Sequence, residues 1–334
     1  MSSSNITIKD VAKKAGVSIA TVSRFLNNPG SLKENNRKKV EKAVEGLDYK
    51  PLLYARRLAG GRINTFGLII PGYEGIFYSY FALEILRGVA ASLDREGTDL
   101  HLHISWDKDN FNSSLVEGVI FADVIENDQQ LKRLLKEKTP LVVINKKIEN
   151  EDVSYVAINN FKGGYDATEF LINHGHKKIA HFAGDLRVQC AQERLDGARA
   201  AMEKNGLKLL PEYTKITNFS RKETRENMEV LFASSNMPTA IFCCSDEVAS
   251  EVLSFAEEKD IMVPESLSII GFDDNPRLSY GSLMLTTVRQ PLIEMSSVAV
   301  RILKDTIDKK MPPQRVILDT ELIIRDTVTF LKYS

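Results

Sequence analysis

Cysteine is scarce in this chain: Cys190 and the adjacent pair Cys243 and Cys244 are the three present, with no CxxC. That set gives no even framework of spaced bridges, so buried thiols in a reducing cytoplasm are the expectation. No stretch approaches the roughly 18 consecutive apolar residues of a membrane span, and residues 1–9 lack the apolar core of a secretory signal. Export and a membrane location are therefore not expected. Catalytic signatures are missing as well: GxSxG, the P-loop, GxGxxG and HExxH do not occur. The triplet His174, His176 and His181 suggests a metal at first sight. Asn173-His-Gly-His reads better as a helix end at Gly175 followed by a strand, and no metal or cofactor is expected.

What is present is a chain of 334 residues with 43% apolar and 27% charged side chains, the balance of a folded globular protein. That length exceeds what one core usually organises, so two or three domains are expected. The net charge of −1 conceals a division. Residues 1–62 hold 13 Lys or Arg against 5 Asp or Glu, a net +8, and the remainder is −9. A polyanion is the natural partner of the first segment, although charge alone would equally suit a solvated basic surface.

The pattern decides between them. From Thr7 the chain reads T-I-K-D-V-A-K-K-A-G-V-S-I-A-T-V-S-R-F-L-N. Thr7 can cap a short helix, Gly16 ends it, and Ser18 can cap a second helix that must leave at a steep angle. Val11, Ala12, Ala15, Val17, Val22 and Leu26 supply the apolar set that such helices bury, and Val40, Val44 and Leu47 add a third helical stripe. This is a helix-turn-helix pattern. The other face of the second helix shows Ala20, Ser23, Arg24 and Asn27, small and polar as a major-groove helix requires. Arg24 can donate both guanidinium branches to guanine O6 and N7, and Ser18, Thr21 and Ser23 can hold phosphates. An ordinary three-helix bundle with a polar face is the bland alternative, and the basic excess speaks against it.

Residues 49–62, Y-K-P-L-L-Y-A-R-R-L-A-G-G-R, place Pro51 to begin a helix that stops at Gly60. A helix this short is marginal in water and needs a partner copy and DNA to order it. Ala55 allows two such helices to cross closely, Leu58 can wedge into a minor-groove base step, and Arg56 and Arg57 would flank phosphates. A basic linker is the alternative.

Together these motifs resemble the lactose-repressor and galactose-repressor (LacI/GalR) family of bacterial transcription regulators, nearly position for position. The resemblance implies a DNA-binding headpiece at 1–49 and a hinge helix at 50–62. It makes Ile19, Ala20 and Arg24 the base readers, Leu58 the intercalating residue, and Tyr49 part of the DNA-binding set. One departure is Leu52-Leu53 where the family has Asn after the hinge proline.

Beyond Arg62, apolar runs alternate with amphipathic stretches, the mark of α/β architecture with parallel sheets covered on both faces. The predicted strands are 66–71, 100–104, 118–121 and 141–145, then 178–183, 239–243 and 268–272, with helices near 191–205, 222–233 and 247–258. Two doubly wound sheets follow, and a ligand of such lobes lies beyond the carboxyl ends of the strands. The resemblance extends here through G-G-Y-D-A-T-E-F-L-I-N-H-G-H-K-K-I-A, T-A-I-F-C-C-S-D-E-V-A and I-I-G-F-D-D. It implies a periplasmic-binding-protein-like core at 63–334: a first lobe of about 63–159 and 290–318, a second of about 160–289 and 319–334.

By the same resemblance Arg194 and Asp273 hold adjacent hydroxyls of a sugar or an equivalent polar edge. Phe219 would face the ligand, Ser245 and Asp246 line the cleft, and Tyr78, Tyr80 and Phe81 form the first-lobe wall. Two departures accompany it. Asn159-Asn160 stands where Asp-Asn is usual, and only 12 residues, 105–116, precede the third strand where a full helix is expected. What this implies is a cytoplasmic, nucleoid-bound homodimeric repressor, recognising a pseudo-palindromic double-stranded operator under control of a sugar or sugar phosphate. A solute-binding protein would need an export signal, and a sugar-processing enzyme would need a catalytic pair that the residues do not offer.

Overall fold

The computed structural model describes residues 6–27, 29–49, 63–72, 76–106, 109–149, 152–234, 236–276 and 283–331. The hinge expectations at Ala55, Arg56 and Leu58 lie outside these residues, as do the side chains of Asn27 and Tyr78.

Three helices form the N-terminal unit: α1 (Ile8–Ala15), α2 (Ile19–Asn27) and α3 (Glu34–Glu45). The Thr7 amide and hydroxyl both donate to Asp10 Oδ2, at 2.8 and 2.7 Å, while Gly16 adopts φ 64° and turns the chain into α2. Ser18 caps α2 by accepting from the Thr21 amide at 3.2 Å. The helices close on Val11, Ala12, Ala15, Val22, Val40, Ala43 and Tyr49.

The remaining chain is α/β with two six-stranded sheets. The first contains β1 (Thr65–Pro71), β2 (Asp99–Ser105), β3 (Gly118–Ala122), β4 (Leu141–Ile144), β5 (Ser154–Ile158) and β11 (Arg315–Leu318), in the order β11-β5-β4-β3-β1-β2. All its pairings are parallel. The second contains β6 (Ile179–Ala183), β7 (Thr214–Ile216), β8 (Ala240–Cys243), β9 (Ser268–Asp273), β10 (Thr286–Arg289) and β12 (Glu321–Ile323), in the order β12-β10-β9-β8-β6-β7. Only β10 with β12 is antiparallel.

Helices α4 (Tyr80–Arg95), α5 (Asp128–Lys136) and α10 (Leu292–Lys309) cover the first sheet. Helices α6 (Asn160–Asn173), α7 (Gln189–Lys204), α8 (Arg221–Phe232) and α9 (Asp246–Glu258) cover the second. The chain passes between the sheets at β5 to α6, at β10 to α10 and at β11 to β12, so each lobe is discontinuous in sequence. The seven strands predicted from apolar runs all exist. The short β5, β7, β10, β11 and β12 add to them, each too brief or too polar to stand out as an apolar run.

Between β2 and β3 the chain makes a short 3-10 turn, Ser113–Leu115, instead of a long helix. Phe111 fills the space beneath the sheet. It is 4% exposed, lies against Gly67, and meets the rings of His101 and His103 at 5.8 and 5.3 Å. Asp109 fixes this segment by accepting from Arg133 Nη2 at 2.7 Å and Gln130 at 3.0 Å.

Candidate functional site

Two surfaces carry the residues singled out in the sequence. In the N-terminal unit, Ile19, Ala20 and Arg24 are exposed on one side of α2, and Ile19 retains 45% of its surface. Ser18 is exposed, and Thr21 and Ser23 are half-buried, with the Ser18 and Thr21 hydroxyls 2.9 Å apart. Tyr49 departs from the expectation of a DNA-facing ring: it is 7% exposed within the helical core, and burial raises its phenol pKa. Its apolar body closes the bundle where α3 ends.

The second surface lies between the lobes, at the carboxyl ends of the strands, as the rule for open α/β sheets requires. Bonds across the gap identify it. Lys147, after β4, donates its amide to Gln189 at 2.7 Å and its ammonium to Glu193 at 2.9 Å. Arg187, after β6, reaches Glu126, after β3, at 3.2 Å.

Arg194 on α7 is 3% exposed. Its Nε donates to Asn160 Oδ1 at 2.9 Å, Nη1 donates to the Cys244 carbonyl at 2.6 Å, and the guanidinium lies 3.6 Å above the Phe272 ring. Asn160, the residue after the departure at Asn159, is thus the clamp that orients this arginine. Its neighbour Asn159 caps α6 by accepting from the Lys162 amide.

Asp273 ends β9 with φ 136°, a conformation an L residue adopts only when held there. Gln290 donates to its Oδ1 at 2.5 Å, and Gln290 Oε1 is buried without a partner. Burial pushes the Asp273 carboxyl up to about 6 against the pull of Arg194. Asp246 is raised to about 7 by burial and by Asp273 facing it. Asp246 accepts from the Thr287 hydroxyl at 2.6 Å and the Asn275 amide at 2.7 Å, so it holds the strand ends beneath the cleft.

Ser245 caps α9 by accepting from the Val248 amide at 3.3 Å and is 7% exposed. Phe219, at φ 58°, lies directly over Gly184, where any Cβ would clash with its ring. From the first lobe, half-buried Tyr80 comes near enough to Asp273 and Asp274 for their charge, after burial and Glu84, to help raise its phenol to about 12. Phe81 packs into the first-lobe core instead.

Four residues escaped the sequence reading. Asp123 follows β3 at φ 76°, is 5% exposed, accepts from Asn145 Nδ2 at 2.7 Å, and has its pKa raised by burial. Asn145 follows β4 at φ 71°, and its Oδ1 is buried without a partner. Cys190 on α7 meets Asn145 across the gap, and burial raises its thiol to about 11. Gln290 is the fourth. Asp123 and Asn145 each stand immediately after an apolar run, and that position alone could have flagged them.

The site is a buried cation, Arg194, near buried Asp123 and half-buried Asp273, with buried Asp246 behind Asp273 and spare amide oxygens on Asn145 and Gln290. The cations at the rim are already satisfied: Lys146 by Asp128, Lys147 by Glu193, Arg289 by Asp274. Such a site accepts hydroxyl and amide hydrogens and disfavours added negative charge. Among the described residues no three His, Cys, Asp or Glu side chains gather to hold a metal. His174, His176 and His181 turn to separate partners, the Phe170 carbonyl, Thr239 with the Thr329 carbonyl, and the Phe242 carbonyl. No helix among the described residues is long and apolar enough to cross a membrane.

Residues 7–51 match the model of bacterial regulatory proteins of the lacI family, and residues 168–328 match a periplasmic binding protein-like domain. The HTH-type transcriptional repressor PurR of Pasteurella multocida is 34% identical over 333 residues, covering 96% of this chain and 98% of that one. Among solved structures, a transcriptional regulator CelR–cellobiose complex is 27% identical with TM-score 0.74, over 96% of this chain and 99% of that one. The lac repressor dimer bound to operator and an anti-inducer shares the fold at TM-score 0.85 and 21% identity, over 98% of this chain and all of that one.

Proposed function

The chain belongs to the LacI family of bacterial regulatory proteins, which are transcription regulators and not enzymes, and on that premise we propose that it is a repressor released or engaged by an uncharged sugar. The observation that carries the sugar reading is Arg194, buried between the lobes with the carboxylates of Asp123 and Asp273 near it. Hydroxyl groups donate to carboxylates and accept from guanidinium, so adjacent hydroxyls suit both. A phosphate would meet carboxylates and already paired cations, which favours the neutral sugar over the sugar phosphate. That the related CelR structure holds cellobiose supports the class.

In this reading 1–49 is the headpiece, 50–62 the hinge helix, and 63–334 the effector core with lobes at about 63–159 with 290–318 and 160–289 with 319–334. Ile19, Ala20 and Arg24 read bases, Ser18, Thr21 and Ser23 approach phosphates, and Asn27 lies on the same DNA-facing side of the helix. Ala55, Arg56 and Leu58 act at the operator centre in a cytoplasmic homodimer. Tyr80, Arg194, Phe219 and Asp273 would touch the effector, whereas Ser245 and Asp246 support them. Closure of the cleft would change how two hinge helices pair, coupling effector and operator affinities reciprocally.

Thermal unfolding against sugars, sugar phosphates, nucleosides and purine bases tests the effector class, because a ligand of the native state raises the midpoint. A rise with neutral sugars that disappears in Arg194→Ala is expected. A rise with sugar phosphates or purines alone would overturn the neutral-sugar reading. For the headpiece, Arg24→Ala should cost about 1–3 kcal/mol and relax selection at one base in binding-site selection. Equal weakening on all sequences would remove base reading from Arg24.

A further inference from the structure

The chain has a single tryptophan, and nothing in the buried site uses it. Trp106 stands immediately beyond β2, whose last residue Ser105 is paired in register with Pro71, the last of β1. The Gly72 amide donates to the Ser105 carbonyl at 2.7 Å, locking the two strand ends together. The Trp106 ring then rests on Gly72, so closely that a Cβ there would lie 2.6 Å from indole Cδ2. Packed against that backbone, the ring still leaves the residue 56% exposed.

This end of the first sheet is the end that faces the second lobe, because Glu126, Asn145 and Lys147 cross the gap from the neighbouring strand ends. As β2 is the edge strand, two strands out from β3, Trp106 stands at the edge of the sheet on its lobe-facing end, to the side of the group around Arg194. A second exposed aromatic, Phe77, follows β1 at the same end and is 63% exposed. Asp109, three residues on, accepts from Arg133 and Gln130.

We propose that Trp106 is the stacking platform of an outer subsite, so that the cleft takes a carbohydrate of at least two linked rings. The proposal rests on the sugar reading of the inner site. An indole presents a face of negative charge and a large apolar area, and the C–H faces of a pyranose are apolar and slightly positive. An inner site of carboxylates, amides and a guanidinium with a flat exposed aromatic to its side matches one ring held by hydrogen bonds and the next by stacking. A second ring contributes affinity here without having to satisfy further buried carboxylates.

The single tryptophan makes the test direct. Full-length protein is titrated with glucose, galactose, cellobiose, lactose and maltose while tryptophan emission and the thermal midpoint are followed, with Trp106→Ala, Trp106→Tyr and Arg194→Ala in parallel. The expected result is a saturable emission change with a disaccharide and affinity for it lowered at least about tenfold by Trp106→Ala. Trp106→Tyr should restore most of it, and any monosaccharide affinity should stay unchanged. If monosaccharides and disaccharides bind alike, dependent on Arg194 but with no change in emission or in Trp106→Ala, the platform is wrong and the sugar reading stands. If no sugar of either size stabilises the protein, both fall. An emission change on dilution without sugar would make a second copy of the chain the occupant of the indole face and would also overturn the proposal.

Discussion

Arg194 concentrates most of what the cleft requires of a single side chain. Its guanidinium satisfies Asn160 and the Cys244 carbonyl and lies on Phe272, and its charge opposes the rise that burial gives the carboxyls of Asp123 and Asp273. Removing it leaves buried acceptors without donors, so Arg194→Ala should destabilise the protein by about 2–5 kcal/mol, read from urea unfolding. The carboxylates make their own prediction. Asp273 and Asp246 are raised to about 6 and about 7, whereas an unfolded Asp titrates near 3.9. The folded state therefore keeps protons that the unfolded chain has released, and this pair's contribution to stability falls as pH rises from about 4 to 7. Asp273→Asn should lose part of that fall, and curves of stability against pH that stay parallel to the wild type would exclude it. Asp273 was legible in the sequence through the I-I-G-F-D-D motif, and Arg194 through the family resemblance. Asp123, Asn145 and Gln290 were not, because an acid or amide after a strand becomes a site only once another lobe faces it.

At the scale of elements, α6 and α7 meet more intimately than any other helix pair, and the cause is two glycines. A Cβ on Gly164 would collide with the Arg194 carbonyl, and one on Gly197 with the Phe161 carbonyl. Backbone touches backbone there, which positions Asn160 at the start of α6 against Arg194 on α7. Gly164→Ala should cost about 1–3 kcal/mol by overpacking and should weaken effector binding as well, since the clamp moves. Calorimetry would separate this from a purely local loss, in which affinity stays unchanged. The helical unit was legible nearly to its caps, Thr7, Gly16 and Ser18, because capping and period lie within a few residues of one another. So were the apolar strands. The edge strands β7 and β12 were not: three residues each, they exist because a neighbour offers a free edge. Tyr49 shows the same limit from the other side, since an aromatic next to a basic segment reads as a contact residue until the bundle claims its ring.

Over the whole molecule, the lobes are held by few polar bonds outside the hinge. Lys147 with Glu193 is half-buried, and Arg187 with Glu126 is largely exposed. The exposed pair should matter little. Lys147→Ala should favour opening and raise the effector dissociation constant severalfold with little change in DNA affinity without effector; unchanged affinity in a sugar titration would assign closure to the ligand alone. The discontinuous lobes have another consequence, for synthesis rather than for binding. Strand β11 completes the first sheet beside β5, yet it leaves the ribosome after every strand of the second lobe except β12. Through that interval β5 presents an unpaired parallel edge, the kind of surface that recruits stray strands. The nascent first lobe must therefore wait with its edge open while the second lobe is made. Residues 315–318 close a sheet begun about 250 residues earlier.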